Sequence, residues 1–208
     1  MKIYMMRHGL TDWNQQRRLQ GSSDIPLNQI GLDMAGRAAE AFFTGRFPVQ
    51  RLYCSHLCRS RQTADILARR LGLVPQVAEG LEEVDLGDWE GLTFAQVQER
   101  FPEAYARWRG DPIMVPPNGE SIFETGQRGM RTVKRLAREG EGDFAAVSHG
   151  GLIRSMLCQL IGAPPEKLDE YEVPNCGVAL FEYDPQADSL RYVEMYSAEE
   201  DPGKYKIV

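Results

Sequence analysis

Short apolar runs alternate along the chain with longer stretches in which apolar residues recur at helical spacing. Residues 2–6 are mostly apolar and read as a buried strand. Residues 9–26 show no period and read as an ordered loop. Asn28 can cap a helix over 30–43 that ends near Gly45. Residues 51–54 read as a second strand. Over 59–71, Ala64, Leu67, Ala68 and Leu71 form one stripe, and Gly72 stops the helix. A shorter third strand follows at 73–77, then an acidic segment punctuated by glycine at 79–91. Thr93-x-x-Gln96 is a capping box that opens a helix to about Phe101, and Ser121-x-x-Glu124 repeats the signal for a longer helix to about Arg138. Residues 144–148 read as a strand, and 152–161 as a helix stopped by Gly162 and the prolines after it. Strands at 177–183 and 190–196, joined by an Asp184-Pro185 turn, form a hairpin at one sheet edge.

This alternation predicts an α/β domain with a largely parallel sheet and a site at the carboxyl ends of its strands. The 208 residues contain no repeat and no linker, so one domain over 1–208 is expected. Cys54, Cys58, Cys158 and Cys176 match neither a zinc ribbon nor a disulfide framework and read as reduced thiols. No apolar stretch approaches the roughly 20 residues of a membrane span. Met1 to His8 is too short for a signal peptide and is broken by Arg7. A cytoplasmic protein is expected, without membrane partners.

Charge sharpens this picture. The net charge of −6 argues against nucleic-acid binding. Residues 1–76 nevertheless hold 11 basic and 5 acidic residues, whereas the remaining 132 hold 13 and 25. Solvated surface accounts for most of these arginines, but the asymmetry also allows a local anion site within an acidic protein.

Only three histidines occur, His8, His56 and His149. Two share a setting: Met5-Met6-Arg7-His8-Gly9 and Ala146-Val147-Ser148-His149-Gly150 each end an apolar run and pass into glycine. Glycine permits a sharp turn and close approach of a ligand. Gly150-Gly151 also opens a helix, whose free N–H groups favour an anion. Either histidine alone reads as structural; the shared setting, with Arg7 beside one of them, points to chemistry. Arg59 follows a strand end near the start of a helix, where a cation opposes the macrodipole. A phosphate there would satisfy both the helix end and the guanidinium.

Four blocks in order, Arg7-His8-Gly9, Arg59 within Ser-x-x-x-Arg-x-x-Gln-Thr-Ala, Leu81 to Gly91 as Leu-x-Glu-x-x-x-Gly-x-Trp-Glu-Gly, and Ser148-His149-Gly150, resemble the histidine phosphatase (phosphoglycerate-mutase-like) superfamily. The resemblance covers nearly the whole chain and is nearest to the bacterial phosphatase branch. It implies a three-layer αβα sandwich, a mostly parallel central sheet with an antiparallel edge strand, and a variable lid at about 94–117. It also implies His8 as nucleophile, with Arg7, Arg59 and His149 holding phosphoryl oxygens. Glu83 would be the general acid, with Glu82 its nearest rival. Asn14, Gln20, Gly21 and Gly150 would line the substrate side. The implied reaction is hydrolysis of a small phosphorylated metabolite, with α-ribazole 5′-phosphate a candidate, and needs neither cofactor nor metal. Two arginines would repel a dication, and no third ligand has suitable spacing for zinc.

The sequence departs from the family pattern in places. Leu10 replaces a usual Glu or Gln, which removes a polar contact near the site. His56 stands where proline is common and reads as a rim residue. Cys176 reads as packing, and Trp89 as a structural anchor. Two rival readings are a phosphoglycerate mutase, which usually carries a longer insertion after the tryptophan-containing segment, and a catalytically silent binding module, which usually lacks the nucleophile or an arginine. Oligomeric state is open between monomer and homodimer.

Overall fold

Alternate residues of the first strand face opposite layers, so the sheet must be covered on both sides. In the computed structural model, which describes residues 1–111, 113–164, 167 and 170–197, this is β1 (Lys2–Arg7). Its Ile3 and Met5 pack with Phe144, Ala146, Leu152 and Ile153, whereas Tyr4 and Met6 pack with Phe42, Leu52, Leu67 and Val147. The sheet runs β3 (Pro75–Val77), β2 (Arg51–Cys54), β4 (Phe144–Ser148), β1, β5 (Val178–Asp184), β6 (Ser189–Tyr196). The first four strands are parallel; β5 is antiparallel to β1, and β6 to β5. Helices α2 (Gln29–Phe43) and α3 (Cys58–Leu71) cover one face, and α6 (Ile122–Arg138) and α7 (Gly150–Ile161) the other. This is the αβα sandwich with an antiparallel edge.

Register places the chemistry. Arg7 lies opposite Ser148 in the β1–β4 pair, so the next residues, His8 and His149, leave the sheet side by side. Cys54 lies opposite Val147, which brings the β2 exit to the same edge. A third apolar cluster of Val84, Leu86, Trp89, Val97 and Ile122 sits beyond that edge. Helices α4 (Phe94–Arg100) and α5 (Pro102–Gly110) cover it with Phe101, Tyr105 and Trp108.

Several boundaries differ from the pattern reading. A one-turn helix, α1 (Asp12–Gln15), lies inside the expected loop, held by a reciprocal capping box between Thr11 and Asn14. Four residues are too few to show a period. The helix opened by Thr93 ends at Phe101 as expected, but Phe101 also caps a further helix, α5, with Pro102 at the first helical position, where its missing N–H costs nothing. β3 starts at Pro75 rather than Leu73, and α7 starts two residues earlier than its apolar stripe.

Helices α6 and α7 approach closely at Gly126. A Cβ there would lie 2.4 Å from Ser155 Oγ and 3.0 Å from the Ser155 carbonyl carbon. That hydroxyl cannot yield freely, because it donates to Ile122 O at 2.6 Å. Helix propensity alone favours Gly→Ala by about 1 kcal/mol, whereas overpacking costs about 1–3 kcal/mol. Gly126→Ala is therefore expected to lower the thermal unfolding midpoint; an unchanged or raised midpoint would show that the α6–α7 contact has slack.

Candidate active site

His8 ends β1 just where the backbone turns at Gly9, which has no room for a side chain: a Cβ would lie 2.5 Å from Gly31 O. The imidazole is buried, and its Nδ1 lies 2.7 Å from Gly9 O. A carbonyl only accepts, so Nδ1 carries the proton and donates, leaving the lone pair on Nε2. Burial, then the charges of Arg59 and Arg7, push this imidazole well below its ordinary pKa, against the opposing hydrogen bond to Gly9. His8 is therefore held as a neutral base with one defined free nitrogen.

His149 is fully buried, with its ring centroid 5.2 Å from that of His8. Its Nε2 lies 2.7 Å from Ser55 Oγ at the end of β2. With the hydroxyl donating, the imidazole proton sits on Nδ1, which has no partner among the protein atoms. Burial first, then Arg59 and His8, push this histidine well below its ordinary value as well.

Two arginines flank the pair. Arg7 Nη1 donates to Val173 O at 2.6 Å. Arg59 is fully buried at the first turn of α3; its Nη1 and Nη2 donate to Ser23 O at 2.6 Å and Gly21 O at 2.8 Å. The Nε of each guanidinium is buried without a hydrogen-bond partner among the described residues. Burial lowers both arginine pKa values and Glu83 offsets this, but guanidinium stays charged near neutral pH. Glu83 is docked at the start of α7: its oxygens accept from Gly151 N and Leu152 N, each at 3.0 Å, and from Val84 N. Glu82 points elsewhere, to Gly80 N, His56 and Arg128.

Arg7, His8, Asn14, Gln20, Gly21, Arg59, Glu83 and Gly150 thus line one cleft of about 370 Å³, with His149 packed against His8. Asn14 Oδ1 and Gln20 Oε1 lie 3.1 and 3.0 Å from Thr11 Oγ1, whose single proton serves one of them at a time. The pattern reading did not single out Arg154 or Glu172, which also line the cleft. Arg154 lies four residues beyond Gly150 on α7, a helical spacing that was legible; Glu172 lies in a stretch with no pattern. Trp89 is fully buried, and Leu10 packs into the apolar layer of α2. Cys176 is buried with a φ of +58° and donates its N–H to Arg7 O at 3.0 Å. His56 is exposed and its Nδ1 is 3.2 Å from Glu82. The Cys58 thiol, near Arg59, is pushed up to about 11 by burial and by Asp24, so it is a poor nucleophile. Among the described residues no three metal-ligating side chains converge, and no helix is long and apolar enough to cross a membrane.

Residues 3–195 match the family model of the histidine phosphatase superfamily, branch 1. The chain belongs to that superfamily. As a histidine phosphatase it is a hydrolase of phosphoric monoesters. It is similar to glucosyl-3-phosphoglycerate phosphatase of Mycobacterium tuberculosis, 36% identical over 172 residues that span 78% of this chain and 76% of the relative. It is also similar to the metal-independent phosphoserine phosphatase of Arabidopsis thaliana, 32% identical over 167 residues, or 78% of this chain and 69% of the other. Among solved structures, the mycobacterial glucosyl-3-phosphoglycerate phosphatase in complex with VO3 superimposes with a TM-score of 0.80 at 32% identity, over 92% of this chain and 96% of that one.

Two buried neutral histidines have a consequence for this histidine phosphatase. Their folded pKa values lie below the unfolded value of about 6.5, so below that pH the unfolded chain binds more protons. Stability is then lost as pH falls below about 6.5, at up to about 1.4 kcal/mol per pH unit for each histidine. Urea unfolding between pH 7.5 and 5.5 should show this, with a shallower dependence in His8→Gln. Parallel curves for the two proteins would mean that His8 is not held neutral.

Proposed function

We propose that the chain hydrolyses a small phosphorylated metabolite through a phosphohistidine on His8 Nε2. The observation that carries this reading is the cluster of three buried, unpartnered nitrogens around His8: Arg7 Nε, Arg59 Nε and His149 Nδ1. Orphaned buried polar atoms cost stability unless a partner arrives. A tetrahedral oxyanion would supply acceptors to all three, beside a nucleophile held neutral.

In the first step the Nε2 lone pair attacks phosphorus, the bond to the ester oxygen breaks, and Glu83 protonates the leaving alkoxide. The proton stays on Nδ1, and its hydrogen bond to the carbonyl of Gly9 stabilises the charge that develops on the ring. Arg7 and Arg59, with His149 donating from Nδ1, hold the equatorial oxygens as charge spreads over them. In the second step water attacks phosphorus, Glu83 takes its proton, the P–N bond breaks, and neutral His8 returns. Guanidinium charge does the work that a dication would do elsewhere, so the scheme requires no metal.

The cleft suits a small molecule. Arg18 and Arg154 add two cations to the cleft against one further anion, Glu172, a balance that favours a leaving group with its own carboxylate. The names of the phosphoglycerate and phosphoserine phosphatases among the relatives agree with that class. α-Ribazole 5′-phosphate would instead set its aromatic base against Phe94 and Trp108, which also line the cleft with their rings 5.9 Å apart. A panel of phosphoserine, 3-phosphoglycerate, glucosyl-3-phosphoglycerate and α-ribazole phosphate separates these substrates, and activity should survive EDTA on each.

His8→Ala should abolish turnover and the acid-labile phosphoenzyme together; turnover that persists would end the covalent scheme. Glu83→Gln should lose about 10²–10⁴-fold on alkyl phosphates, the usual worth of general acid catalysis. It should lose much less in phosphoenzyme formation from p-nitrophenyl phosphate, whose leaving group needs little protonation. Equal single-turnover losses on both substrates would assign the acid to another group.

A further inference from the structure

Glu90 does not line the cleft, yet its carboxylate is the most heavily engaged in that part of the molecule. Oε1 accepts from Ser22 N at 2.6 Å and Ser22 Oγ at 2.9 Å. Oε2 accepts from Ser23 N at 2.9 Å and Ser23 Oγ at 2.5 Å. One side chain thus takes both backbone donors and both hydroxyls of two successive serines. The segment it grips is the one whose carbonyls face Arg59: Gly21 O and Ser23 O, on either side of Ser22, receive Nη2 and Nη1 of the guanidinium. The carboxylate draws the N–H side of the loop while the guanidinium draws its C=O side. The loop is therefore clamped between opposite charges that do not touch each other.

Local geometry shows that the clamp is built in. Gly21 has a φ of +53°, and a Cβ there would lie 2.0 Å from Glu90 Oε1. The segment before it is tied to the same place, because Leu19 N donates to Leu92 O and Gly91 N donates to Leu19 O. Arg59 leaves α3 fully buried, and among the described residues these two carbonyls are the hydrogen-bond partners that fix its plane. Two of its five N–H groups are spent on them, so the direction of the other three depends on where the carbonyls sit.

We infer that Glu90 is a positioning residue: by gripping Ser22 and Ser23 it orients the Arg59 guanidinium for the phosphoryl group. This rests on the role of Arg59 proposed above. Glu90 reaches Arg59 through the two loop carbonyls and through its own charge, so its effect should shrink sharply when Arg59 is absent. A residue that merely supported the fold would instead reduce activity by the same factor whether or not Arg59 was present.

The experiment is a double-mutant cycle read by kcat/KM for p-nitrophenyl phosphate and by the inhibition constant of orthovanadate. Glu90→Gln should lower kcat/KM by about 10²-fold, the effect of misplacing a binding group by about 1 Å, and should weaken vanadate in parallel. Ser22→Ala/Ser23→Ala, which keeps both backbone donors, should move both quantities in the same direction by less, and it decides the matter if Glu90→Gln does not fold. In an Arg59→Ala background either change should add less than about twofold, the usual limit of independence. Losses that multiply in full in that background, or a vanadate constant that stays put in both variants, would overturn the inference. If Arg59→Ala alone leaves vanadate binding intact, the proposed role of Arg59 fails instead.

Discussion

The pairing of β1 with β4 is the constraint on which the site depends. Arg7 opposite Ser148 means that two separate strands reach the sheet edge at one level, each with a histidine as the next residue. A slip of one residue would turn every side chain of β1 to the other face. Such a slip is resisted because Ile3 and Met5 on one side, and Tyr4 and Met6 on the other, are all buried. The alternation that packs the sheet is therefore also what holds the imidazole centroids 5.2 Å apart. Parallel β2 adds Ser55 at the same level, with its hydroxyl 2.7 Å from His149 Nε2.

Electrostatics follows from that placement. Two buried imidazoles packed beside two guanidiniums do not all carry charge. The histidines yield, because their ordinary pKa lies near neutrality, whereas arginine stays cationic. The outcome suits a nucleophile, which needs a lone pair, and an anion site, which needs fixed positive charge. The arginines in turn point their free donors inward because backbone carbonyls of Val173, Gly21 and Ser23 hold their other ends.

Strands at 51–54 and 144–148 were legible to the residue because central parallel strands are buried on both faces and read as unbroken apolar runs. Helix starts at Asn28, Thr93 and Ser121 were legible because a cap is a local device. Arg7, His8 and His149 could be picked out because glycine follows both histidines. Between Glu82 and Glu83, only the spacing to Gly87 and Trp89 in the family resemblance favoured Glu83. The two are adjacent in an irregular segment, and only tertiary contacts send one to Arg128 and the other to the start of α7. Glu90 was hidden for a similar reason: among crowded acids, nothing local marks the one that grips a loop 68 residues away.

The two ends of the sheet carry a further property of the fold. β3 is only three residues long and begins with Pro75, which has no N–H to offer. At the other end, β6 carries Arg191 and Glu194, and its pairing with β5 is irregular at Leu180/Phe181. Short length, proline, charge and irregular register each spoil a strand edge as a template for a further strand. A six-stranded open sheet has two such edges by necessity. Among the described residues, neither edge presents the long, flat, apolar ladder on which a second chain could extend it into a fibre.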